Sequence, residues 1–179
     1  MRLLRQIAGS VLWLLADSRR VEDNLRREAQ SRGVDPARLI FAPRIAYAEY
    51  LARYRLADLF LDTLPFNAGT TASDALWAGL PLITCPGRAF AARMAGSLLT
   101  AIEMPELIAQ TMGEYEALAV KLAGDPQLMA ATKAKLERNR LIAPLFDTGL
   151  FTRNIEAAYS AICERAQSGL PPDHIYVPQ

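Results

Sequence analysis

From residue 10 to residue 109 short apolar runs alternate with stretches of helical periodicity, and this alternation selects a parallel α/β sheet. Parallel neighbours have to be joined by a crossover, and the helical stretches supply one. Residues 10–16 (SVLWLLA) form a compact apolar run that reads as a buried strand. Residues 21–32 follow with Val21, Leu25 and Ala29 at helical spacing among charges, and Gly33 stops them. Residues 38–42 (RLIFA) are the second strand, ended by Pro43. The helix expected over 46–54 places Tyr47, Tyr50, Leu51 and Tyr54 on one face. Strands are expected at 59–62, 81–84 and 106–109, with helices over 72–78 and 89–101 between them.

Beyond Gly113 the pattern is helical only, over 114–123, 126–139 and 148–166. The whole chain, 1–179, therefore reads as one domain, with 113–168 mostly helical and 169–179 a proline-containing tail lying on the surface. Its 179 residues, 51% of them hydrophobic, suit one packed core, and 22% charged residues exclude a disordered polar chain. The net charge of +1 gives no global reason to expect nucleic acid. Residues 1–55 nonetheless carry 11 basic and 6 acidic side chains against 9 and 13 over 56–179, a tilt that favours an anionic small ligand near the first third. Lys133, Lys135, Arg138 and Arg140 cluster on one helix, but Glu137 interrupts them and no aromatics interleave, so a solvated face is expected. Cys85 and Cys163 make no disulfide framework, and no spacing of Asp, His and Cys supports a metal site. The N-terminus imitates a signal peptide, but Gln6, Gly9 and Ser10 break its apolar run, and no window spans a membrane. A cytoplasmic protein without membrane or nucleic-acid partners is expected.

The informative segment is Leu61-Asp-Thr-Leu-Pro-Phe-Asn-Ala-Gly-Thr-Thr-Ala-Ser-Asp-Ala-Leu-Trp-Ala-Gly79. A strand ends at Asp62, a Pro/Asn/Gly loop follows, and Thr70 and Thr71 open a helix. Free backbone N–H groups and the positive end of the helix dipole favour an anion there. The two hydroxyls add donors without charge, Gly69 lets a ligand approach the backbone, and Asp74 can accept hydrogen bonds from a diol such as a ribose. The plainer alternative is that Thr70 or Thr71 is an N-cap and Asp74 a first-turn charge favoured by the dipole.

The run Ala57-Asp58-Leu59-Phe60-Leu61-Asp62-Thr63, then residues 67–74 and Ala75-Leu76-Trp77-Ala78-Gly79, resembles the C-terminal catalytic lobe of the O-linked N-acetylglucosamine transferase (SPINDLY-type) family. Residues 10–15 (SVLWLL), Glu22-Asp23-Asn24-Leu25, Phe41-Ala42-Pro43, Cys85-Pro86-Gly87, Ala119-Val120-Lys121-Leu122 and Pro172-Asp173-His174 fit the same lobe in order. The resemblance implies a Rossmann-like parallel sheet flanked by helices, the C-terminal half of a GT-B fold, with a helical C-terminal extension. It implies a lobe that binds the UDP part of a UDP-sugar, with UDP-GlcNAc as donor, a protein Ser or Thr as acceptor, and no metal. It also implies a partner lobe N-terminal to this one, the upstream phosphate-binding lysine, and tetratricopeptide repeats before both. Met1 falls inside what resembles the helix before the lobe's first or second strand, so a fragment is expected, with apolar surface left around residues 46–54.

By the same resemblance Thr70 and Thr71 match the paired threonines that hydrogen-bond the diphosphate, Asp74 the ribose-binding aspartate, and Arg53 an arginine near the uracil. Asn67 and Gly69 belong to the same binding loop. The chain departs from the animal members at three positions: Gly69 stands where they have a histidine, and Tyr47 and Tyr50 where they have a lysine and a histidine. Tyr50 can stack on a uracil as an imidazole does, but Tyr47 is no cation. A non-catalytic nucleotide-binding or scaffold module is therefore the second reading, and another GT-B enzyme such as a UDP-sugar epimerase the third.

Elsewhere ordinary roles are expected. Trp13 and Trp77 read as core aromatics and Cys85 as a small buried hydrophobe. Pro86-Gly87-Arg88 reads as a strand–helix turn, and the lone His174 as a tail residue. No residue is assigned a catalytic role.

Overall fold

A computed structural model describes residues 1–177; Pro178 and Gln179, the end of the expected tail, lie outside the described residues. The elements follow the expected order. Helix α1 (Arg2–Gln6) precedes strand β1 (Leu12–Leu15), α2 (Arg19–Ser31), β2 (Leu39–Ala42) and α3 (Tyr47–Arg53). Then come β3 (Phe60–Leu61), α4 (Thr70–Trp77), β4 (Leu82–Ile83) and α5 (Met94–Ala101). The chain continues with α6 (Met112–Gly124), α7 (Pro126–Ile142) and α8 (Thr148–Gln167).

Among the described residues all strand pairing is parallel, with Leu12 opposite Leu39 through Leu15 opposite Ala42, and Phe60 and Leu61 opposite Leu82 and Ile83. The expected run of four or five strands is thus divided into two hydrogen-bonded pairs, β1·β2 and β3·β4. The strand expected at 106–109 shrinks to one parallel bridge, Thr84 opposite Ile108. Pro105 opens a 3-10 turn over Pro105–Leu107, and only the Leu107 carbonyl and the Ala109 N–H reach Thr84. The helix expected over 89–101 is likewise shorter, with a 3-10 turn at Phe90–Ala92 before α5. Its early carbonyls are taken by other partners: Ala91 accepts the Asn67 N–H at 2.9 Å and Ala92 the Gly87 N–H at 2.7 Å. Gly87 has to be glycine for that approach, since a Cβ there would meet the Ala92 Cβ at 2.7 Å.

Side-chain hydroxyls and carboxylates set the helix starts in the second half. Thr111 caps α6, Asp125 caps α7 with Pro126 at its first position, and Asp147 caps α8. The main core joins Ala72 and Leu76 of α4, Leu82 and Ile83 of β4, Leu99 of α5, Tyr115 and Leu122 of α6 and Leu136 of α7. A smaller core joins Leu4, Ala29, Val34 and Leu39 around β2. Helices α6 and α7 therefore share the main core, whereas α8 buries none of its residues.

The two tryptophans are not core residues: Trp13 is 36% and Trp77 52% exposed. Burial alternates along β1, so Trp13 shares an outward face with Leu15. Trp77 ends α4 beyond its buried stripe of Ala72, Ala75 and Leu76, and its ring meets Phe146 edge-on at 5.1 Å. Cys85 is buried as expected, and His174 is exposed. Among the described residues no helix is long and apolar enough to cross a membrane.

Candidate nucleotide site at the start of α4

Strand β3 delivers Asp62 to the point where the chain must turn. Its carboxylate is 8% exposed and bonded on both oxygens: Oδ1 accepts the Ala68 N–H at 2.7 Å and Oδ2 the Thr84 hydroxyl at 2.5 Å. The Tyr115 hydroxyl donates to the Asp62 carbonyl at 3.0 Å, so α6 holds the same residue from the other side. The loop that follows contains a cis Leu64–Pro65 peptide and closes on itself. The Thr63 hydroxyl donates to the Phe66 carbonyl and Asn67 Nδ2 to the Thr63 carbonyl. Asn67 is 1% exposed, so it holds the loop from inside instead of lining its outer surface with the other assigned residues. Its Oδ1 is buried without a partner among the described residues.

Helix α4 then begins in an unusual way. Its N-cap is Gly69, and no side chain caps it. Thr70 and Thr71 are the first two helical residues and both are exposed, so neither threonine hydroxyl serves as the N-cap. The Thr70 and Thr71 side chains are left on the surface at the first turn of α4, where unpaired helix-start N–H groups accommodate an anion. Gly69 has a negative φ of −102° with ψ −88°, and a Cβ there would touch only the Met94 side chain at 3.7 Å. The position would admit a side chain, and glycine leaves it open.

Asp74 lies one turn further on, and α3 with the residue that follows it faces it with three tyrosines. The Tyr47 hydroxyl donates to Asp74 Oδ1 at 2.9 Å. Tyr50 and Tyr54 share a 2.6 Å hydrogen bond, and the Tyr54 hydroxyl donates to the Thr71 carbonyl at 3.3 Å. The rings form a continuous series, with centroids 5.9 Å apart from Tyr47 to Tyr50 and 4.9 Å from Tyr50 to Tyr54. Arg53 is turned to other partners: it donates to the Pro43 carbonyl at 2.9 Å and its guanidinium lies 5.7 Å from the Trp13 ring. The structure therefore brings Thr70, Thr71, Asp74, Gly69 and Tyr50 together. It places Asn67 beneath them and engages Arg53 with Pro43 and Trp13.

Two participants escaped the sequence reading. The sequence marks Asp62 as a strand end, and Tyr47 as a member of an aromatic helical face that stands where other members have a cation, without pairing it with Asp74. The shared helical face of Tyr47, Tyr50 and Tyr54 was the available signal for the second. The cavity of about 370 Å³ between α3, the end of α4 and α7 contains none of these residues; Ala48, Leu51, Trp77 and Arg140 help line it. Among the described residues no cluster of three or more His, Cys, Asp and Glu could hold a metal.

Burial pushes the Tyr54 and Tyr115 phenols far above the usual tyrosine range, and the hydrogen bond to Asp74 raises Tyr47. These groups favour their neutral forms in the folded chain, so the unfolded chain binds fewer protons once pH passes the ordinary tyrosine value of 10.0. Stability is then lost as pH rises from that value through the raised ones. We expect a flat stability at neutral pH and unfolding above about pH 10, with phenolate absorbance appearing in the same transition. Phenolate absorbance saturating while the fold persists would contradict it.

The family model for Glycosyl transferase family 41 matches residues 1–155. The chain is 37% identical over 174 residues to the Caenorhabditis elegans UDP-N-acetylglucosamine--peptide N-acetylglucosaminyltransferase, covering 97% of this chain and 15% of that one. It is 40% identical over 177 residues to the probable UDP-N-acetylglucosamine--peptide N-acetylglucosaminyltransferase SEC of Arabidopsis thaliana, covering 98% of this chain and 18% of that one. A solved Thermobaculum terrenum O-GlcNAc transferase mutant superposes with a TM-score of 0.83 at 32% identity, over 88% of this chain and 31% of that one. This chain thus spans less than a fifth of the length of those two curated relatives. A match over most of the chain, and a shared α/β fold with parallel strands, agree with the motif at α4: the chain belongs to glycosyl transferase family 41.

Proposed function

We propose that this chain is the C-terminal, UDP-sugar-binding lobe of an inverting GT-B glycosyltransferase that transfers N-acetylglucosamine from UDP-GlcNAc to a protein Ser or Thr. The observation that carries this reading is the uncapped start of α4, with Thr70 and Thr71 exposed and Asp74 one turn on. Negative charge grows on the diphosphate as the glycosidic bond breaks, and donors already aimed at it stabilise the transition state more than the ground state. In this lobe the α4 N–H groups and the two threonine hydroxyls supply that stabilisation in place of a metal. Asp74 receives the ribose, and Tyr50 offers a face to the uracil. The acceptor protein brings the attacking hydroxyl. The groups that hold it and act as acid and base belong to a partner lobe N-terminal to this one, preceded by tetratricopeptide repeats, and a second phosphate-binding group is an upstream lysine. The reaction is cytoplasmic in this reading.

Calorimetric titration with UDP, against ADP as control, tests the site. UDP should bind selectively, and T71A and D74A should each weaken it about tenfold, the worth of one or two hydrogen bonds to charged groups. Unchanged affinity in both variants would remove the site from α4. A second reading, a non-catalytic nucleotide-binding or scaffold module, is favoured by one observation. At the three departures no cation or imidazole faces Thr70 and Thr71, since Gly69, Tyr47 and Tyr50 stand there. UDP binding without transfer from UDP-GlcNAc, in a protein that contains both lobes, would establish it.

A further inference from the structure

Tyr47 is the first residue of α3 and its side chain is largely exposed, yet its hydroxyl is committed to a carboxylate 27 residues further along the chain. Exposed aspartates on a helix exchange rotamers freely unless something outside the helix holds them. Here Oδ1 of Asp74 is held by the Tyr47 hydroxyl at 2.9 Å, and the Tyr50 hydroxyl stands close to the same carboxylate. The donor is itself supported. Its ring leans on Tyr50 at an interplanar angle of 31°, Tyr50 meets Tyr54 edge-on, and Tyr54 is 6.2 Å from Phe60 of β3. The Tyr54 hydroxyl meets the Thr71 carbonyl, so Tyr47 at the start of α3 and Tyr54 just past its end are tied to α4 at two residues one turn apart.

A carboxylate offers about four acceptor sites, so the tyrosine donors leave sites on it for a ligand. A vicinal diol presents two O–H groups side by side, which a carboxylate of fixed orientation can receive together. We propose that Tyr47 is a positioning residue: its hydroxyl fixes the Asp74 carboxylate so that it receives the 2′,3′-diol of a ribonucleotide, and it thereby sets the preference of this site for ribo- over deoxyribonucleotides. This rests on the reading of α4 as a nucleotide site. The same hydrogen bond raises the Tyr47 phenol, so it remains a donor through neutral pH.

The test is calorimetry on the 179-residue chain with two probes, UDP and 2′-deoxy-UDP, for the wild type, Y47F and Y54F. The wild type should prefer UDP. Y47F removes one oxygen and keeps the ring, so it should lose about fivefold to tenfold in UDP affinity while its 2′-deoxy-UDP affinity stays within about twofold. Y54F removes the bonds to Thr71 and to the Tyr50 hydroxyl but keeps the ring and the Tyr47 bond to Asp74, and should leave the ratio between the two probes in place. A ratio unchanged in Y47F, tighter UDP binding in Y47F, or an equal collapse in Y54F would overturn the proposal. Wild-type UDP binding with no preference over 2′-deoxy-UDP would overturn it while leaving the nucleotide site standing. An absence of UDP binding altogether would remove the site, and the proposal with it.

Discussion

Asp62→Ala should destabilise the chain by about 3 kcal/mol or more and abolish UDP binding in whatever folded fraction remains. The carboxylate is nearly buried and takes hydrogen bonds from the Ala68 N–H and the Thr84 hydroxyl. Alanine leaves both donors buried without an acceptor, and each loses a bond to a charged group. The damage is also local to the site. Ala68 precedes the Gly69 N-cap, so the contact that sets the entry angle of α4 is the one removed. Asn in its place offers one acceptor oxygen, and the Thr84 hydroxyl can turn round to accept from the amide, so D62N should cost less than half as much. Urea denaturation of both variants measures this. An alanine variant within about 1 kcal/mol of wild type would mean that water satisfies those donors and that the loop does not depend on them.

Leu76→Ala has an expected cost of about 2–5 kcal/mol, the range for emptying a fully buried leucine site. Leu76 has no solvent exposure and belongs to the core formed with β4, α5, α6 and α7. It is also the residue that seats the last turn of α4, so its loss should loosen the helix whose first turn carries Thr70 and Thr71. Leu122→Ala in α6 is the matched comparison: it is equally deep in the same cluster, but on an element that carries none of the assigned binding residues. Thermal melts should fall by about 2–4 °C per kcal/mol in both variants. UDP affinity should fall further in L76A than in L122A. Equal affinities in two equally destabilised variants would show that α4 keeps its place without its anchor.

Most of the secondary structure was legible because the relevant signals are local. Val21, Leu25 and Ala29 mark one helical face, Pro126 and Asp125 mark a helix start, and both are readable within one turn. The strand expected at 106–109 failed because Pro105 favours a turn that local apolar content does not reveal. Trp13 and Trp77 misled for a related reason. Each sits in an apolar stretch, but which side of β1 or α4 is covered depends on what packs there. Asn67 was read with its neighbours in the binding loop, and only the folded loop turns it inward.

By itself the sequence determined the α/β class, the order of the elements, the family and the position of the threonine pair at a helix start, since each follows from periodicity or a contiguous motif. Tertiary structure alone decided that Gly69 takes the cap position and leaves both hydroxyls free, that Asp62 anchors the loop, and that Tyr47 holds Asp74. Those outcomes depend on where a side chain from a different element comes to rest. Partners 22 and 27 residues apart meet only after the sheet and helices have packed, so no window of sequence contains the contact.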